Sequence, residues 1–153
     1  MGIRRKAREC ALQLLFQYDF THDNPEEVVK RYWEMQGPPP HAVKRSAEFF
    51  FHKSLEQRQV IDAWIRKYSR HWPLDRMSVV DRNVLRLAVT ELLIGEEPQP
   101  IIIINEALET ARRFSGEESV RFINGVLDAI HLALKNREAP EGQPHPGGES
   151  QAE

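Results

Sequence analysis

The stretch that decides the fold is residues 78–95, SVVDRNVLRLAVTELLIG. Ser78 with Asp81 three residues later predicts a capping box at a helix start, and Gly95 marks the end. Between them, apolar residues recur at steps of three and four, which is typical of one helical face. The residues of this face are Val84, Leu85, Ala88, Leu92 and Leu93.

The segments before this helix show the same periodicity. Asn24-Pro25 with two following acids predicts the start of another helix, which we expect to end near Gln36. Residues 41–72 lack glycine and proline, so they form either one long bent helix or two helices in succession. A first helix is predicted from the apolar residues Ile3, Ala7, Cys10, Ala11, Leu14, Leu15 and Tyr18.

The segments after it are also predicted to be helical. Residues 101–104 are four isoleucines, which favour a strand by propensity, yet helical spacing continues from Ile104 to Ala111 and indicates a helix. In the last segment the periodicity runs through Gly125, where another helix or a ligand usually approaches closely to offset a cost of about 1 kcal/mol. Because no segment alternates with period two, the predicted fold class is all-α, with six or seven helices.

Composition and motifs exclude several classes of function. The chain has 153 residues, of which 41% are hydrophobic and 29% charged, so it is not wholly disordered. Its six histidines lack metal-ligand spacing, no nucleophile or phosphate-loop motif is present, and Cys10 lies on an apolar helix face. The longest apolar run, residues 101–104, is too short to span a membrane. We therefore predict a soluble cytoplasmic protein with no enzymatic activity, no metal and no cofactor.

The predicted domain organisation is a single helical domain and a tail. Residues 1–136 hold all the periodic segments and form the predicted domain. Residues 137–153 contain three prolines, three glycines, four acids and no large apolar residue, so they are predicted to be a disordered acidic tail.

The formal net charge of −2 hides an uneven distribution. Residues 1–8 carry four basic side chains and no acid: Arg4, Arg5, Lys6 and Arg8. Cations at a helix N-terminus oppose the macrodipole, so this placement favours a function over a contribution to stability. It indicates an anionic partner, although a solvated and functionally silent end is the alternative.

Two groups of residues suit RNA. On the first helix Arg4 and Arg8 share an edge beside a flank that carries Leu12 and Phe16, and arginines beside an aromatic suit phosphates and unpaired bases. The alternative is that Phe16 packs in the core and the arginines only solvate the helix start. The second group is Arg112, Arg113, Phe114, Arg121 and Phe122, where core packing is the commoner role of each phenylalanine.

Four sequence blocks, in order across about residues 3–135, resemble the NusB family. RRKARECALQ at residues 4–13 resembles that family's arginine-rich N-terminal helix. DRNVLRLA at 81–88 with ELL at 91–93 is similar to its central helix. INEA at 104–107 and FINGVLD at 122–128 are similar to its C-terminal signature.

The resemblance implies a fold and a function. The fold is all-helical, with two small helical bundles. The function is transcription antitermination without catalysis, in which the protein binds the single-stranded boxA element of nascent RNA together with NusE, a small-subunit ribosomal protein. The complex joins other Nus factors on RNA polymerase and supports ribosomal RNA transcription.

The resemblance also implies site residues. The expected NusE-facing residues are Arg76, Asp81 and Arg82. Two positions depart from the family pattern: Lys6 replaces a common arginine and loses bidentate geometry, and Glu118 stands where aspartate is frequent. The expected RNA-binding residues are Arg4, Arg5, Lys6, Arg8, Arg113, Phe114, Glu118, Arg121 and Phe122.

Two other functions compete with this one. The chain is alternatively a purely protein-binding helical scaffold or a homodimer, whose basic end has no RNA function. NusB-like domains are also fused to RNA cytosine methyltransferases, but these need a downstream cofactor-binding domain with catalytic cysteines, so we do not expect this function for residues 1–153.

Overall fold

A computed structural model describes residues 2–137, and its regular secondary structure there is entirely helical, which confirms the all-α class. No helix in this range is long and apolar enough to cross a membrane. Beyond Arg137, the predicted tail lies outside the described residues. The helices are α1 (Ile3–Thr21), α2 (Pro25–Gln36), α3 (His41–Glu56), α4 (Arg58–Tyr68), a one-turn 3-10 helix (Leu74–Arg76), α5 (Val79–Ile94), α6 (Pro100–Phe114) and α7 (Glu117–Lys135).

The chain divides into two compact units. The first holds α1–α3 and ends at Gln57, and the second begins at Arg58 with α4. The boundary falls within residues 41–72, for which the sequence left one helix or two open, and the structure has two. That residues 1–136 act as a single domain stays a prediction.

The helix boundaries follow the local sequence signals. The Asn24 side chain accepts a hydrogen bond from the Glu26 backbone N–H at 2.8 Å and caps α2, as predicted. At the start of α5, the Ser78 hydroxyl accepts from the Asp81 backbone N–H at 3.0 Å, which confirms one half of the capping box. Gly95 ends α5 in the left-handed conformation with a φ of 74°.

In the first unit, α1 and α3 run in the same direction. The Tyr32 hydroxyl of α2 donates to Gln13 of α1, and the neighbouring Trp33 indole donates to Glu48 of α3 at 2.8 Å. One level further along, the Tyr18 ring of α1 meets the Phe51 ring of α3 edge-on, with centroids 6.1 Å apart. Residue numbers therefore rise together along α1 and α3, so their N-termini lie at the same end of this unit.

In the second unit, α5 is the central helix and packs against α4, α6 and α7. Its residues 83–91 are all buried, which explains why the apolar residues of this stretch are not confined to one face of the helix. One charged side chain in this stretch is Arg86, whose guanidinium pairs with the Asp62 carboxylate of α4 through two hydrogen bonds of 2.9 and 3.0 Å. Both side chains are only 10% exposed. Residues 78–95 thus form the core of this unit and contribute Arg86 to its buried ion pair.

Two residues have surroundings that the sequence pattern did not fix. Leu12, on the flank of α1 beside the arginines, is 7% exposed, because α1 is covered on the side of Leu12 as well as along its main apolar face. At Gly125 the expected close approach of another helix is wrong, since a β-carbon added there would have no neighbour within 4 Å among the described residues, and the approach of a ligand stays a prediction. The helix continues through Gly125 because the surrounding apolar face is buried, at Ile123, Val126 and Leu127.

We therefore expect Gly125→Ala to stabilise the protein by about 1 kcal/mol, since alanine favours the helix and its methyl group meets open space. Urea unfolding followed by circular dichroism measures the change. Gly116→Ala is the matched control: Gly116 has a φ of 99°, so a side chain there is strained and this variant should lose stability. Equal effects of the two substitutions would contradict this account.

Candidate nucleic-acid interface

The first candidate surface is the arginine edge, which we define as Arg4, Arg5 and Arg8 at the start of α1. Arg4 and Arg5 are exposed and Arg8 is half-buried. Ala7, at 0% exposure, packs this turn of α1 against the core of the first unit. The first turn of α1 holds no acid, and its N-cap, Gly2, offers no side chain to the free N–H groups. The result is a positive helix start.

Lys6 lies apart from the arginine edge. Lys6 is two residues after Arg4 and two residues before Arg8. This spacing places it about 200° around the helix from each of them. Its ammonium nitrogen lies 3.6 Å from a carboxylate oxygen of Glu9, and its side chain is 55% exposed. Such a surface pair contributes about 0–1 kcal/mol, so Lys6 can exchange Glu9 for a phosphate at little cost.

The second candidate surface is the α6–α7 corner, which we define as Arg113, Phe114, Glu118, Arg121 and Phe122. Phe114 is 59% exposed, so the core-packing alternative is wrong for this residue, whereas Phe122 is half-buried. The Arg113 guanidinium lies over the Phe114 ring, 5.6 Å from its centroid. The corner thus presents an aromatic face and a cation side by side.

Arg112 and Gly116 build the α6–α7 corner. Gly116 adopts the left-handed region, with a φ of 99°, and lets the chain reverse between the two helices. Arg112 donates to Glu109 of α6 at 2.7 Å and to Glu117 of α7 at 3.1 Å. The hydrogen bond with Glu117 raises the pKa of Arg112 above its already high ordinary value, so Arg112 keeps its charge.

The predicted RNA-binding and NusE-facing residues of the second unit meet through Ser119. The Ser119 hydroxyl donates to the Asp81 carboxylate at 2.9 Å and ties the first turn of α7 to the first turn of α5. Ser119 directly follows Glu118, so this hydrogen bond places the turn of α7 that carries Glu118 next to the turn of α5 that carries Asp81. Ser119 was not predicted from the sequence, because a separation of 38 residues from Asp81 leaves no local pattern.

The expected NusE-facing residues lie around the 3-10 helix. Arg76 is exposed at its last position, and the half-buried Arg82 of α5 donates to the Leu74 carbonyl at 3.3 Å. Two large apolar side chains in the same segment are exposed and were also missed: Trp72 at 53% and Val79 at 47%. Trp72 directly precedes Pro73 and lies beyond the end of α4 at Tyr68, and the available signal was this position next to a proline.

The described residues offer little to catalysis or metal binding. Within residues 2–137 no three histidine, cysteine or carboxylate side chains come together as a candidate metal site. Cys10 is 5% exposed on the core face of α1. The surfaces described above carry guanidinium groups and an exposed ring, which suit binding through charge and stacking.

Comparison with known proteins decides the family. A model of the NusB family matches residues 5–132, which is most of the chain. The chain belongs to the NusB family. Among curated relatives of this NusB chain, the transcription antitermination protein NusB of Koribacter versatilis (strain Ellin345) is 45% identical over 134 residues. The match covers 87% of this chain and 91% of the relative.

Solved NusB structures share the fold. A chain of the crystal structure of antitermination factors NusB and NusE in complex with dsRNA is 29% identical, with a TM-score of 0.78, and the match covers 87% of this chain and 98% of that one. T. maritima NusB is 34% identical, with a TM-score of 0.77, and the match covers 90% and 94% of the two chains.

Proposed function

We propose that this NusB-family chain is a transcription antitermination factor that binds single-stranded boxA RNA together with NusE. The observation that carries the proposal is the arginine edge, a dense positive surface at the start of α1 in a chain of this family. A related solved structure contains NusB, NusE and double-stranded RNA, which supports NusE and RNA as the two kinds of partner. The exposed Phe114 ring favours unpaired RNA, because only an unpaired base is free to stack on it.

The proposed RNA contacts divide by chemistry. Arg4, Arg5 and Arg8 pair with phosphates, and the arginine fork allows two hydrogen bonds to each. Lys6 adds charge without that geometry. In the α6–α7 corner, Phe114 and Phe122 offer rings to bases, Arg113 and Arg121 neutralise the backbone, and Glu118 limits affinity because it repels phosphate.

The proposed NusE surface comprises Arg76, Asp81 and Arg82. Trp72 and Val79 extend it, because exposed apolar side chains flanked by charges are typical of protein interfaces. Through this complex the chain joins other Nus factors on RNA polymerase in the cytoplasm and supports ribosomal RNA transcription. No step in this role requires catalysis by the chain itself.

An electrophoretic shift assay with boxA RNA, with and without NusE, tests the proposal. We expect a weak shift without NusE and a strong one with it, because few contacts must offset the ordering of a flexible strand. The same RNA annealed to its complement should bind less tightly. No shift under either condition would favour a purely protein-binding scaffold, and sedimentation of the chain alone would then show whether that scaffold is a homodimer.

Glu118→Gln is expected to strengthen RNA binding about two- to fivefold, because it removes one negative charge from the α6–α7 corner at nearly constant size. Fluorescence anisotropy with labelled boxA RNA and saturating NusE measures the change. Glu96→Gln, an exposed acid in the segment between α5 and α6, is the charge-matched control and should leave the affinity unchanged. An equal gain in both variants would show that only the net charge matters.

A further inference from the structure

The outer face of α3 carries an exposed row of side chains that the proposed function does not use. His41, Arg45 and Phe49 follow one another at intervals of four residues, and we call them the α3 stripe. Neighbours at this spacing lie on one helix face, about 5–6 Å apart at their β-carbons. All three are exposed, Phe49 to 41%, whereas the opposite face of α3 is buried at Val43, Ala47 and Phe51.

Along α3 itself, the basic end of the α3 stripe has no acid beside it. The first turn of α3 contains none, and Lys44 and Arg45 precede its first acid, Glu48. Glu48 is engaged elsewhere: its carboxylate accepts from the Trp33 indole of α2 at 2.8 Å and lies 3.9 Å from the Lys44 ammonium. Cations near a helix N-terminus weaken the helix slightly, so intrachain stability does not explain this arrangement.

Phe49 adds an exposed aromatic ring to the α3 stripe. A phenylalanine side chain that is 41% exposed leaves apolar surface in water, which burial would remove. Its ring lies one helical turn beyond Arg45, and the neighbouring Phe50 ring is tilted by 50° relative to it, with the two centroids 6.2 Å apart. An arginine and an exposed ring at this spacing suit one nucleotide unit, with the phosphate on the guanidinium and the base on the ring.

The position of the α3 stripe relates it to the arginine edge within the first unit. Because α1 and α3 are parallel, and Tyr18 meets Phe51, His41 lies at the level of Arg8. Arg45 lies four residues further along, about 6 Å, on a helix whose axis is roughly 8–10 Å from that of α1. Because the stripe faces away from the buried side of α3, where Phe51 meets Tyr18 of α1, a single strand held by the arginine edge reaches it by crossing over α3, whose diameter with side chains is about 10–12 Å.

We propose that the α3 stripe is a second RNA-binding surface, which holds one or two unpaired nucleotides beyond those bound by the arginine edge. Arg45, helped by His41, pairs with a phosphate, and Phe49 stacks on a base. The inference rests on the proposed function. Unpaired RNA, and not an acidic protein segment, is the chosen occupant because the stripe places a guanidinium one helical turn from an exposed aromatic ring, which suits a phosphate and a base.

The test compares boxA RNA with the same RNA extended at both ends by about four unpaired uridines, against the chain with saturating NusE. The wild-type chain should bind the extended RNA roughly tenfold more tightly. Arg45→Ala combined with Phe49→Ala should remove this gain and leave the affinity for the short RNA unchanged. Lys30→Ala, an exposed cation on α2 of the same unit, is the control and should keep the gain.

A second readout separates stacking from folding. With 2-aminopurine placed in the extension, its fluorescence should be quenched by the wild-type chain and not by Phe49→Leu, which keeps an apolar side chain and should keep the unfolding midpoint. Persistence of the tenfold gain or of the quenching in these variants would overturn the inference. Weaker NusE binding in the variants, with the RNA gain intact, would assign the stripe to a protein and also overturn it.

The outcomes keep the two proposals apart. If the wild-type chain binds the short RNA but gains nothing from the extension, only the α3 stripe fails. If it binds neither RNA with or without NusE, the proposed function fails, and the inference that rests on it fails too.

Discussion

Replacing Arg4, Arg5 and Arg8 together with alanine is expected to weaken boxA RNA binding roughly a hundredfold or more. Each hydrogen bond to a charged group contributes about 1.5–3 kcal/mol, and about 1.4 kcal/mol corresponds to a tenfold change. The fold should be retained, because Arg4 and Arg5 are exposed and alanine is a good helix former. Anisotropy titrations in the presence of NusE measure the affinity, and circular dichroism checks the helix content.

The matched control removes three other exposed cations, Lys30, Arg66 and Lys135, and changes the net charge by the same amount. This variant should bind RNA nearly as well as the wild-type chain. If both triple variants lose affinity equally, the RNA responds to net charge alone and the arginine edge is not a site.

The second large effect concerns the buried ion pair of the second unit. Asp62→Ala is expected to destabilise the protein by about 3–5 kcal/mol, because it leaves the Arg86 guanidinium buried without its carboxylate. Urea unfolding at unchanged m-value measures the loss. Because natural domains are stable by only about 5–15 kcal/mol, such a loss would leave a substantial unfolded fraction.

The double variant Asp62→Leu with Arg86→Met tests the cause. An apolar pair of similar volume removes the buried guanidinium together with its carboxylate, so this variant should recover most of the lost stability. A double variant as unstable as Asp62→Ala would contradict the account, and so would a single variant that loses less than about 1 kcal/mol.

Most of the fold was predictable from local sequence. Caps such as Asn24, terminators such as Gly95 and three- to four-residue periodicity depend on neighbouring positions, and each marked its helix correctly. Contacts between distant positions were not predictable. Arg86 and Asp62 are 24 residues apart, and Asp81 and Ser119 are 38 apart, so tertiary packing alone brings each pair together.

The candidate site was predictable where its signal is a cluster of charge. The arginine edge stood out because residues 1–8 hold four basic residues and no acid. Exposure was harder to predict, since a residue at the border of an apolar stripe can turn either way. Phe114 is exposed, contrary to the commoner core-packing role of a phenylalanine, whereas Leu12 is buried, because packing by neighbouring helices decides which residues at a border are covered.

The salt dependence of boxA RNA binding tests the central claim most directly, because it counts the phosphates that the chain neutralises. With three or four phosphate contacts on a single strand, the logarithm of the affinity should fall with the logarithm of the salt concentration at a slope of about −2 to −3. The slope should flatten towards zero when Arg4, Arg5 and Arg8 are alanine. A wild-type slope near zero, or the same slope in the variant, would contradict the claim that the arginine edge binds RNA.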